Sequence, residues 1–198
     1  MANSVTVHLI RHEKTDANIK RKYIGWTDEP IVENVNMRPI LQPDIVYGSD
    51  LMRCEQTANR YFPQAKFKAY QSLRELHFGD FEMKTYEELQ HNKMYRAWID
   101  DPYNVTPPNG ESFEQFKQRV VQTFMQIVEA QQDYTFIVHG GVIRILLSQF
   151  GLKEKTFQQV MANHRTIYTL QWATLEDFIG GTKCTSYSEA HITGNVRM

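Results

Sequence analysis

Two short apolar segments of this chain each stop at a histidine. Val5, Val7, Leu9 and Ile10 trace a strand-like run that ends at Arg11-His12, and Tyr134 to Val138 traces another that ends at His139-Gly140-Gly141. Runs this apolar fit strands covered on both sides, and helical periods between them supply the cover. The expected fold class is therefore α/β, with a mainly parallel central sheet and helices on both faces. In such sheets ligands bind beyond the carboxyl ends of the strands. His12 and His139, distant in sequence, are thereby expected on one edge.

A chain of 198 residues holds one domain with a full core, so residues 1–198 are read as a single unit. Residues 11–43 read mostly as loop, with Pro30, Pro39 and Pro43 breaking any long helix. Residues 44–48 read as a strand and 51–61 as a helix, with Asp50 or Ser49 as its N-cap. Helical character runs from Thr85 to Ile99. Ser112 and Gln115 then form a capping-box pattern before the best helix, where Phe113, Phe116, Val120, Phe124, Ile127 and Val128 share one apolar face. A helix follows Gly141 and closes at Gly151, a strand spans 166–172, and the polar tail from Gly180 reads as an edge strand or a loosely ordered end.

Charge narrows the partner. There are 22 Lys and Arg against 23 Asp and Glu, with a pI near 6.7, so no overall field attracts nucleic acid or an anionic membrane. A small molecule is the expected ligand. Arg11, Lys14, Lys20, Arg21 and Lys22 crowd one segment against Glu13 and Asp16, which is either a solvated loop or an anion-attracting rim. Apolar runs are too short to span a bilayer, and the N-terminus shows no export signal. Cys54 and Cys184 form neither a disulfide framework nor a zinc spacing and read as packing residues, which suits a reducing, cytoplasmic setting.

The polar residues fit phosphoryl transfer through a covalent histidine. That reaction asks for an in-line nucleophile, cations on the equatorial oxygens, an acid for the departing alkoxide and later a base for water. His12 is the candidate nucleophile. Arg11 and Arg53 are the candidate clamps, with forked charge-assisted hydrogen bonds. His139 would donate to the same oxygens, most usefully when protonated, beside the N–H of Gly140 at a helix start. Glu75 is the candidate general acid and base, a dual role that a shielded site favours. A zinc site on His12 and His139 is the rival, but the sequence offers no cluster with metal-ligand spacing. His8, His77, His91, His164 and His191 read as structural or surface residues, with His77 the nearest to Glu75 in sequence.

These residues resemble the histidine phosphatase superfamily, the phosphoglycerate mutase-like fold. Arg11-His12-Glu13-Lys14-Thr15-Asp16-Ala17-Asn18 is similar to its Arg-His-Gly-x-Thr-x-x-Asn signature. Ser49 to Ala58, Leu73 to Glu82 and Val138 to Arg144 resemble its other motifs. The resemblance implies a three-layer sandwich with a helical cap inserted at 76–133, His12 as the phosphorylated residue, and Arg11, Arg53 and His139 as the phosphate pocket. It implies Glu75 as the acid, Thr15 and Asn18 as lesser site residues, a phosphomonoester substrate, and no metal or organic cofactor. Gly79-Asp80-Phe81-Glu82-Met83, and Trp98 followed by Pro108 to Phe113, look most like alpha-ribazole phosphatases. In the cap, Phe78, Phe81, Tyr95, Trp98 and Tyr103 are candidates to meet an aromatic leaving group.

Two departures stand out. Glu13 replaces the family glycine, placing a carboxylate beside the pocket with an expected bias against highly anionic substrates. The stretch from Ile31 to Pro43 is short by roughly ten residues and typical of a connection. It leaves one sheet face partly uncovered or available for a homodimer. The alternatives to a phosphatase are a phosphoglycerate mutase, whose family members carry a longer insertion, and a non-catalytic module that binds a phospho-ligand or a protein.

Overall fold

Strand β1, Val5–Arg11, carries apolar side chains on both faces and takes the middle of the sheet. It pairs in parallel with β4, Asp133–Val138, and antiparallel with β5, Thr166–Trp172. β2, Ile45–Gly48, pairs in parallel with β4, and β3, Lys66–Ala69, in parallel with β2. β6, Ser186–His191, closes the opposite edge antiparallel to β5. The order is β3-β2-β4-β1-β5-β6, mixed but mostly parallel. The computed structural model describes residues 4–32, 37 and 39–192.

Alternation along β1 divides the core in two. Val5, Val7 and Leu9 face a large cluster that includes Phe116, Val120 and Phe124 of α5, Phe113–Ile127, and Val142, Ile145 and Leu146 of α6, Gly140–Phe150. Ile10 faces a smaller cluster with Cys54, Ala58 and Tyr61 of α2, Met52–Tyr61. Met37 and Leu41 pack against this second cluster, so the described part of the short 31–43 stretch covers that face; residues 33–36 and 38 lie outside the described set.

The remaining helices are α1, Asp16–Ile19, α3, Tyr86–Leu89, α4, Lys93–Asp100, and α7, Leu175–Ile179. The helical stretch expected over 85–99 is thus two helices, because Asn92 accepts from the N–H groups of Met94 and Tyr95 and starts α4 afresh. The Ser112 and Gln115 box at the start of α5 forms as expected. The cap of α2 does not. Its first N–H, on Met52, is taken by Asp28 Oδ1 at 2.9 Å, while Asp50 is drawn into a forked pair with Arg74. Among the described residues no helix is long and apolar enough to cross a membrane.

Candidate active site

Strand register assembles the site. Arg11 stands opposite Val138, and the N–H of His12 donates to the carbonyl of Val138 at 3.0 Å, so His12 and His139 leave adjacent strands side by side. Their rings meet edge to face with centroids 5.1 Å apart. Nδ1 of His12 lies 2.6 Å from the carbonyl oxygen of Glu13. A carbonyl only accepts, so Nδ1 carries the proton and Nε2 keeps its lone pair. Burial, with Arg53 and Arg11 adding repulsion, holds the proton affinity of His12 well below that of an ordinary imidazole. The ring is neutral, with a free lone pair on Nε2.

Both arginines reach the same place with donors to spare. Arg53 is fully buried and gives Nε to His139 Nδ1 at 3.3 Å, Nη1 to Thr27 O at 2.9 Å and Nη2 to Gly25 O at 2.6 Å. Those bonds use three of the five N–H groups of a guanidinium. Arg11 gives Nη1 to Ala162 O at 2.9 Å, yet its buried Nε has no acceptor in the protein. Buried donors are nearly always satisfied, so this orphan points to an anion at the strand ends.

His139 differs from its expected state. Its Nδ1 accepts from Arg53, its Nε2 faces Cys54 Sγ at 3.6 Å, and burial with Arg53 alongside holds it well below an ordinary imidazole. It is neutral here, and a phosphate dianion is the group that would favour its protonated form.

The two glycines after His139 make room for side chains. A Cβ on Gly140 would lie 3.2 Å from Arg11 Cζ, and one on Gly141 would collide with Glu75 Oε1. Glu75 uses that space to cap α6 from outside: Oε2 accepts from Gly141 N at 2.7 Å, and Oε1 accepts from Leu76 N at 2.9 Å. All five candidates, Arg11, His12, Arg53, Glu75 and His139, converge at one sheet edge. Thr15 and Asn18 are engaged with each other in the capping box that starts α1.

Glu13 is engaged within the protein: its carboxylate accepts from the Tyr61 hydroxyl and pairs with Arg165 Nε at 3.1 Å. Three neighbours had no sequence signal. His164 donates from Nδ1 to the carbonyl of His12 at 2.7 Å, with its ring 5.8 Å from that of His12, and burial lowers its pKa to about 3. Trp26 Nε1 and Arg119 Nη2 both donate to the carbonyl of Glu75, at 3.0 and 2.8 Å.

Beside Glu75 and Gly141 opens a cavity of about 320 Å³, walled by Tyr23, Phe78, Trp98, Phe116 and Phe157, with Arg144 at its edge. Of the five cap aromatics, Phe78 and Trp98 reach it. Phe81 and Tyr95 are core residues, and Tyr103 is exposed against Phe113.

Known proteins resemble this chain in sequence and fold. The chain is 32% identical over 155 residues to an adenosylcobalamin/alpha-ribazole phosphatase of Escherichia coli K12, covering 71% of this chain and 76% of that protein. The crystal structure of the alpha-ribazole phosphatase from Shigella flexneri superposes with a TM-score of 0.71 at 26% identity, over 83% of this chain and 89% of the other. A phosphoglycerate mutase from Thermus thermophilus superposes at 0.67 with 25% identity, over 83% and 92%. The sequence profile of the histidine phosphatase superfamily (branch 1) matches residues 7–176, which takes in both histidines, both arginines and Glu75. With the site's geometry, the sequence profile and these relatives in agreement, the chain belongs to the histidine phosphatase superfamily, branch 1.

Proposed function

We propose that the protein hydrolyses a small phosphomonoester through a phosphohistidine on His12, with Glu75 as general acid and base. One observation carries the reading: the free Nε2 of a neutral, buried His12 shares its site with an Arg11 whose buried Nε has no acceptor. His12 Nε2 attacks phosphorus and the ester P–O bond breaks. Arg11 and Arg53 hold the non-bridging oxygens, and protonated Glu75 gives its proton to the leaving alkoxide. Glu75 then takes a proton from water, the water oxygen bonds to phosphorus, and the P–N bond breaks to free His12 and orthophosphate. The Tyr23, Phe78 and Trp98 wall next to Glu75 suits a leaving group with a flat apolar part, and similarity to alpha-ribazole phosphatases makes a nucleotide-like ester such as alpha-ribazole phosphate the substrate to try first.

The test is turnover of an aryl phosphate by wild type and His12→Ala, with rapid quenching for acid-labile protein-bound phosphate. Wild-type turnover with trapped phosphohistidine supports the reading, and activity equal to that of His12→Ala sinks it. Glu75→Gln should slow an alkyl ester at least about tenfold more than a nitrophenyl ester, whose leaving group needs no proton. Conversion of 3-phosphoglycerate to its 2-isomer would instead mark a mutase.

A further inference from the structure

Arg144 belongs to no step above, yet it stands where the leaving group would lie. It sits on α6, three residues beyond Gly141, and so on the same helix face about 4.5 Å further along the axis. Gly141 holds the carboxylate of Glu75, the acid of the proposed reaction. Arg144 and Glu75 therefore line the same apolar cavity. Arg144 Nε is buried without an acceptor, and among the described residues the side chain has no ion-pair partner; the ring of Phe157 lies 5.7 Å from its guanidinium carbon. Arg11, close enough to feel its charge, carries the other buried Nε in this region that lacks an acceptor. Two like charges with unmet donors, flanking one acid, fit a ligand with two separate acceptor groups. Arg11 faces the strand ends and takes the phosphoryl group. Arg144 faces the apolar wall.

Building on the phosphatase reading but not on alpha-ribazole phosphate, whose leaving group carries no carboxylate, we propose that Arg144 is a specificity-determining residue that binds a carboxylate on the leaving group, so that the substrate class is phosphomonoesters of apolar, carboxylate-bearing alcohols or phenols. The guanidinium fork matches a planar carboxylate with two parallel bonds, and an apolar wall strengthens the pairing by excluding water. One cation at this edge balances one negative charge.

The experiment compares 4-carboxyphenyl phosphate with 4-carbamoylphenyl phosphate, a pair alike in shape but differing by one charge. Wild type is expected to favour the carboxylate by at least about tenfold in kcat/KM, as befits a charge-assisted bond. In Arg144→Met the ratio should fall to near one, and in Arg144→Lys it should lie between. A wild-type ratio near one, or a preference that survives in Arg144→Met, overturns the proposal. Calorimetric titration of both compounds into His12→Ala and into His12→Ala/Arg144→Met reads the same preference without turnover. Loss of the phosphatase reading thus shows as absent wild-type activity, and loss of the Arg144 proposal shows as equal affinities.

Discussion

Glu13 is a buried charge whose partners lie within the protein. A buried acid beside His12 would oppose a phosphate dianion if its charge were uncompensated. Tyr61 and Arg165 take it up, and Arg165 adopts a left-handed backbone (φ 58°), uncommon for a residue with a side chain, in the turn that brings its guanidinium to Glu13. Glu13→Gln keeps a group for Tyr61 but removes the charge that faces Arg165. Since Arg165 is one-third exposed, the expected loss is below that of a fully buried pair, about 1–3 kcal/mol in urea unfolding, with the Glu13 carbonyl still holding His12. A variant as stable as wild type would show that the pair contributes nothing. The departure at position 13 is visible in the sequence. The direction of its carboxylate is not, because Arg165 arrives through a turn 152 residues away.

Helix α5 was legible from its capping box and apolar period, but its role at the site was not. Arg119 lies on its half-buried side and gathers the carbonyls of Ser72, Arg74 and Glu75 together with the carboxylate of Glu111. It thereby fixes the main chain from which Glu75 reaches Gly141. Sequence periodicity marks which face of a helix is apolar, yet cannot show which carbonyls a lone arginine will meet. Arg119→Met should lower kcat on an alkyl ester by about ten- to a hundredfold, the scale of a displacement near 1 Å, while an aryl ester that needs no acid loses less. Equal losses on both esters would mean that Arg119 supports the fold and not the acid. The two short helices over 85–100 and strand β3 were less legible. Asn92 restarts a helix within a continuous helical composition, and Lys66 and Lys68 lend β3 the polar look of an edge strand.

Across the molecule, the sheet order made the site legible, because two histidines at the ends of parallel neighbours must meet. It also buries both rings. His12 and His139 each have folded-state proton affinities well below the unfolded value near pH 6.5, with burial the larger cause. The unfolded chain therefore binds more protons as pH falls through 6.5, and stability drops on acidification, then levels off above that value. His164, with its pKa lowered to about 3, adds a third ring, so the slope is at most about 4 kcal/mol per pH unit. Urea unfolding at pH 7, 6 and 5 checks this, and a flat profile would show all three rings protonating normally in the folded state. The unmet Nε of Arg11 has a last consequence. On the proposed reaction, orthophosphate, once cut free, offers its oxygens to the same guanidinium that held the ester, so the finished product is expected to compete with the next molecule to be cleaved.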